Sequence, residues 1–228
     1  MLRDLSKNNR FFLFFHLTVG TMVLYPFSFR LVISLLHLTD FLSSEFINIS
    51  YNLILIVSTL FIAKDLLSMS WIRFKPHFIQ NIVLVFKLFP LLIIISVLFN
   101  SLAVFLTGQD SASNQSLLNE LFQTSPFYIT LSALIYAPLM EELLFRGFFY
   151  GFFEKRSQLF ALIISGLTFG LAHMWTGQFN IADFAFLPSY SLLGMIIAYS
   201  YQKTHSIYTP ILLHFLNNLM GVLIMVYS

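Results

Sequence analysis

Three stretches of this sequence hold side chains able to move a proton or steady an oxyanion. They are APLMEELLFRG, with Glu141, Glu142 and Arg146; FGLAHM, with His173 four residues after Phe169; and PILLHFLNN, with His214, Asn217 and Asn218. A carboxylate beside an imidazole can share the deprotonation of a water held between them. A second imidazole N–H and an amide N–H₂ can donate to the oxyanion of a tetrahedral intermediate. No serine in these clusters has an obvious base beside it and cysteine is absent, so direct attack by water is favoured over an acyl-enzyme. Glu141, His173 and His214 could instead hold a metal such as zinc. However, the two-histidine HExxH helix of many zinc proteases is missing and Asn is a poor zinc ligand, so the metal reading ranks below water activation.

Helical spacing sorts these residues. Glu142 and Arg146 stand at i,i+4 with the acid on the N-terminal side, the favourable order for an ion pair within one helix. Glu141 is turned about 100° from Glu142 and is left to face a cavity. His214 and Asn218 are also i,i+4 and share a face, from which Asn217 is expected to turn away.

The elements that must position these groups lie in a membrane. The 228 residues are 58% hydrophobic and 10% charged, against about 25% charged in a soluble domain. Phenylalanine alone occurs 28 times, more than a soluble core of this length could hide. Without cysteine there is no disulfide framework and no thiolate, and a net charge of +2 gives no argument for nucleic acid. Crossing about 30 Å of hydrocarbon takes roughly 20 apolar residues, and such runs fall near 11–37, 46–64, 80–106, 126–152, 157–174, 184–201 and 208–227. Pro26 and Arg30 interrupt the first run, so 28–43 could be a separate short helix. The expectation is an all-α, polytopic transmembrane bundle of seven to eight spans, with N-terminal helices over 1–124, a catalytic core over 125–228, and one compact membrane domain overall.

Basic residues test that layout. Arg3, Lys7, Arg10, Lys64, Arg73, Lys75, Lys155, Arg156 and Lys203 all fall on one side if seven spans alternate, whereas the opposite loops carry Asp40, Glu45, Asp110, Glu120 and Asp183. Positive charge stays cytoplasmic, which predicts a multi-pass plasma-membrane protein with its N-terminus inside. Residues 65–79 read as an interfacial segment, and TGQDSASNQS as a polar outer loop. Thr124-Ser125-Pro126 and Thr209-Pro210 read as hydroxyl-capped helix starts with proline in the first turn. Depths counted from the helix ends suggest a cavity opening to the cytoplasm.

At the polar residues the sequence resembles a known family. EELLFR matches the EExxxR motif, FGLAH the FxxxH motif and HFLNN the HxxxN motif of the type II CAAX-endopeptidase and bacteriocin-processing (Abi) intramembrane proteases, in order, over about residues 125–228. The resemblance implies that Glu141 is the general base and that His173 assists it with the water. It implies that His214 and Asn218 stabilise the oxyanion, and that Glu142 and Arg146 buttress the site. The family has been described both as metalloproteases and as glutamate-dependent proteases. Expected partners are membrane lipids and a membrane-associated peptide, prenylated or bacteriocin-like. CAAX-type processing, bacteriocin maturation and self-immunity are the roles the family suggests, and a compact chain points to a bacterial membrane.

Plainer readings stand beside this one. Glu142 and Arg146 could be a structural ion pair only, each histidine a core residue bonding a carbonyl, and Asn218 a simple helix–helix link. Buried Glu, His and Arg also build proton pathways in transporters, although no two halves of this chain repeat. A protein of this fold could also act by binding, as a non-catalytic bacteriocin-immunity factor.

Overall fold

The computed structural model of the chain describes residues 7–174 and 180–227; Arg3 and Trp175 lie outside them. The described residues form helices joined by short turns, with no strand among them. The helices are α1 (Lys7–Phe15), α2 (Tyr25–Leu35), α3 (Ser44–Ile62), α4 (Lys64–Phe74), α5 (Phe78–Thr107), α6 (Ser113–Thr124), the long run α7 (Pro126–Phe153), α8 (Gln158–His173), α9 (Leu187–Thr204) and α10 (Tyr208–Tyr227).

Five helical runs are long and apolar enough to cross a membrane, and a bent pair, Phe11–Thr21 with Tyr25–Leu35 at 52°, makes six. The seven expected stretches are all largely helical, but α8 has only 16 residues. At 1.5 Å per residue it reaches about 24 Å, short of a full hydrocarbon crossing. It is accommodated by unusually close packing on α9. A Cβ on Gly166 would come within 2.3 Å of the Met195 side chain and 2.7 Å of the Ser191 carbonyl, and one on Gly170 within 2.3 Å of Ser191 Oγ. This is the small-xxx-small contact that lets two backbones approach in lipid, and it went unread in the sequence.

One hydrophobic cluster joins the two halves of the chain. Leu13, Leu17, Leu66 and Leu92 pack with Leu143, Phe169, Ile197 and Leu213. Phe61, Phe86 and Phe105 are exposed on a bundle whose surrounding solvent is lipid, where apolar surface carries no penalty.

Three local expectations change. TGQDSASNQS is not all loop, because α6 begins at Ser113. Its first amide is capped from a distance by Asp183, whose Oδ1 accepts from the Ser113 N–H and from the Ser113 hydroxyl, both at 3.0 Å. A carboxylate there satisfies an orphan donor and opposes the helix dipole. The Ser125-Pro126 start has no hydroxyl cap; Glu45 instead accepts from the Tyr128 N–H at 3.1 Å. At the start of α10 the Thr209 hydroxyl has no partner among the described residues, and Ser206 Oγ accepts from the Tyr208 N–H at 3.3 Å.

The element that matters most for the site is α7. Two stretches within it, Ser132–Tyr136 and Leu143–Tyr150, take the wider π-helical register, a feature common at functional sites. Pro138 explains part of this. The Ala137 N–H bonds Ser132, five residues back. In that register the carbonyl of Ala133 faces residue 138, a proline with no N–H to give. Its lone pairs are left for another helix.

Candidate active site

Glu142 and Arg146 are both fully buried, with side chains 0% exposed. Arg146 Nη1 donates to Glu142 Oε1 at 3.0 Å, and Nε lies 3.0 Å from Oε2. That second contact is ionic and lacks hydrogen-bond alignment. Arg146 Nη2 reaches across to the Gly194 carbonyl at 2.8 Å, and its guanidinium lies over the Phe169 ring, 4.9 Å from the centroid. Glu142 Oε1 also receives His214 Nδ1 at 2.7 Å. An ion-paired carboxylate only accepts, so Nδ1 must carry the proton, and Nε2 is the ring nitrogen left for the cavity that His214 lines.

Glu141 has the opposite surroundings. Its side chain is 28% exposed, lines the cavity, and among the described residues Oε2 has no hydrogen-bond partner. The nearest polar group is His173 Nε2 at 3.8 Å, too long for a direct bond and open to a water touching both. His173 Nδ1 lies 2.8 Å from the Phe169 carbonyl one turn back. A carbonyl cannot donate, so Nδ1 holds the proton and Nε2 presents a lone pair toward Glu141. The ring is fixed between Phe169, 4.4 Å away, and Tyr190, 4.9 Å away, nearly parallel to both. Tyr190 shares the cavity wall with Asn114 of α6.

Asn218 supplies the missing partner of α7, donating through Nδ2 to the orphaned Ala133 carbonyl at 2.8 Å. Its Oδ1 accepts from Asn217 Nδ2 at 3.1 Å, which fixes which way the amide points. The second Nδ2 hydrogen remains for another acceptor. Asn217 does not turn away from the site as expected, because it stands three residues after His214, and positions three and four apart share one helix face. His214, Asn217, Asn218, Gly221, Val222 and Met225 form that stripe along the cavity wall.

The cavity encloses about 560 Å³, within the range of ligand sites. It runs from Glu141, His173 and His214 past Ser132 and Tyr128 to Asn114, Gln115 and Leu118 of α6. Asn114, Gln115, Leu118 and Leu121 line it and no described residue of the basic loops does, so it reaches the end of the bundle that carries α6. The expected opening toward the basic side is therefore reversed. Sequence reasoning also missed α6 and Tyr190 as parts of the site.

Glu141, His173, His214 and Asn218 thus border one cavity, with Glu142 and Arg146 packed behind His214. Among the described residues, no three His, Asp or Glu side chains stand close enough to hold a metal ion. Glu141, His173 and His214 are therefore not gathered into a three-ligand cluster. His16, buried between Thr59 at 2.7 Å and Tyr25 at 3.2 Å, is a satisfied core histidine.

The family described as "Type II CAAX prenyl endopeptidase Rce1-like" matches residues 123–220, a span that holds Glu141, Glu142, Arg146, His173, His214 and Asn218. The putative membrane peptidase YdiL of Bacillus subtilis is 33% identical over 116 residues, 50% of this chain and 43% of the relative. The membrane-embedded CAAX protease MroQ of Staphylococcus aureus is 33% identical over 118 residues, 49% of this chain and 44% of the relative. The UPF0177 protein YvdC of Lactococcus lactis is 27% identical over 175 residues, 75% of this chain and 62% of the relative. The matches thus cover about half the length of these curated relatives. No solved structure matches the chain.

Proposed function

We propose that this chain, whose residues 123–220 match the Rce1-like family of type II CAAX endopeptidases, is a member of that family and an intramembrane endopeptidase that cleaves by an activated water. The observation that carries the reading is the unpartnered Glu141 Oε2 facing the lone pair of His173 Nε2 across 3.8 Å inside a cavity of an apolar bundle. A carboxylate left without a partner among apolar helices is costly, and a water between the two groups satisfies both.

Water bridging them gives one proton toward Glu141 and one toward His173 Nε2. As Glu141 takes its proton, the hydroxide oxygen bonds the scissile carbonyl carbon and the carbonyl π electrons move to oxygen. The free Asn218 Nδ2–H and the Nε2 side of His214 face the developing charge. His214 donates there only when both ring nitrogens are protonated, and Glu142 sits where it balances that charge, as a carboxylate does behind a catalytic histidine. Collapse of the intermediate breaks the C–N bond, and Glu141 returns its proton to the leaving amine.

Apolar walls and uncharged amides line most of the cavity, which suits a membrane-associated peptide, whether a prenylated tail or a bacteriocin-like segment. With the basic loops in the cytoplasm of a bacterial cell, the α6 end faces outward and the substrate enters from that side. The sequence has no cysteine, so single cysteines at Glu120 and Lys155 report the orientation. The expected outcome is labelling of the first by an impermeant maleimide on intact cells and of the second only after lysis.

The test of the activity compares newly formed peptide termini in cells expressing the wild type and Glu141→Ala at matched membrane levels. Termini that appear only with wild type support the protease and identify its substrate. If no termini differ and an immunity or transport phenotype survives the substitution, a binding protein or transporter replaces it.

A further inference from the structure

A second recess lies at the opposite end of the bundle and takes no part in the chemistry above. It encloses about 650 Å³ and is lined by Arg73 in the last turn of α4 and His77 after it, by Glu154 and Lys155 between α7 and α8, by Gln158 at the start of α8, and by His205 after α9. Two side chains carry fixed positive charge, two are imidazoles and one is a carboxylate. With the histidines neutral, the balance is positive.

The recess is built rather than incidental. Ser70 Oγ accepts from the Ile207 N–H at 2.6 Å, and Ser206 Oγ donates to the Ser70 carbonyl at 3.1 Å, both bonds buried. These tie α4 to the turn before α10. Arg73 Nη1 reaches the His205 carbonyl at 3.4 Å, and His205 holds a left-handed backbone at φ 47° that turns the chain back at this point. On the far wall Gln202 Nε2 donates to Gln158 Oε1 at 3.0 Å, joining α9 to α8. The walls are thus cross-linked by hydrogen bonds between α4 and the turn at 205–207 and between α8 and α9.

Its edge is apolar. Ile72 lines it and is 67% exposed, and close to it in sequence Ile79 is 69% exposed and Trp71 and Phe78 about half exposed. Aromatic side chains mixed with basic ones mark the headgroup level of a bilayer. A small phosphate ion would use the charges and leave that apolar rim without a role. A phospholipid uses both, with its phosphate between Arg73 and Lys155 and its acyl chains along the exposed isoleucines. Basic pockets between helices bind lipid headgroups for this reason. Glu154 then accepts from a headgroup hydroxyl.

The geometry points to a binding site for the phosphate of an anionic phospholipid headgroup in this recess, separate from the cavity around Glu141. It does not depend on the protease reading.

Native mass spectrometry of the purified full chain, offered phosphatidylglycerol and phosphatidylcholine of matched acyl chains, tests it. Phosphatidylglycerol is expected to be retained preferentially. Lys155→Glu changes a residue in an exposed turn and should reduce that preference at least about fivefold, the size associated with one basic residue at an anionic surface. Arg73→Gln should do the same from the other wall. Lys203→Gln, outside the recess, should leave it unchanged. Equal retention of the two lipids, or a preference untouched by Lys155→Glu, overturns the site. Displacement of the bound lipid by millimolar inorganic phosphate overturns the lipid as its occupant.

Discussion

The two sides of α7 at residues 141 and 142 carry the same side chain in opposite surroundings. Glu142 is sealed from solvent and holds Arg146 and His214. Glu141, one residue earlier, keeps an oxygen without a partner and borders the cavity. The sealed carboxylate is held by Arg146 and His214 on both oxygens' sides, so it fixes geometry. The other borders the cavity with 28% of its side chain exposed, so it can meet water. A rotation of about 100° around one helix separates a structural acid from a reactive one.

Exchanging the roles by mutation gives the largest expected contrast. Glu141→Gln should lower the rate of peptide cleavage by about 10²–10⁴-fold, the usual worth of a positioned general base, while the melting temperature in detergent stays near wild type. Glu142→Gln should instead lower the melting temperature, because Arg146 loses its counter-charge. If Glu141→Gln also unfolds the protein, Glu141 is structural and the contrast fails.

Arg146→Met sharpens the buried side. Removing one partner of a buried pair leaves the other uncompensated and costs about 3–5 kcal/mol. It also removes the bond to Gly194 that ties α7 to the α8–α9 contact. Thermal unfolding measured against the double variant Glu142→Gln with Arg146→Met separates the terms. The double variant should be less impaired than the sum of the single ones.

Asn218→Ala probes the open side. It should reduce kcat by about 10²–10³-fold, as loss of one oxyanion donor does, with KM nearly unchanged. An equal fall in stability would mean that the link to the Ala133 carbonyl is the only role of Asn218.

The residues that carry the chemistry were legible because ionisable side chains are rare in apolar helices, and Glu142–Arg146 because i,i+4 spacing survives into the structure. What escaped depended on contacts between distant segments. α6 owes its first turn to Asp183, 70 residues away, and no local pattern announces such a cap. The cavity's direction depends on which helix ends it meets, and counting depth along straight helices ignored the π-helical stretches in α7. Asn217 was misjudged for a simpler reason. A face was drawn through i and i+4 alone, although i+3 lies on it too.

That residue gives the smallest expected effect and the finest test of the two surroundings. Asn217 Nδ2 donates to Asn218 Oδ1. Without it the Asn218 amide can flip, and the hydrogen meant for the oxyanion is replaced by a carbonyl oxygen that repels it. Asn217→Ala should therefore lower kcat by about fivefold, equivalent to the roughly 1 kcal/mol of one neutral hydrogen bond. KM and melting temperature should be nearly unchanged, and the loss should vanish in an Asn218→Ala background, where there is no amide left to orient. If the two substitutions are instead additive, Asn217 acts on the substrate directly, and the open side of the helix holds one more contact than the geometry assigns to it.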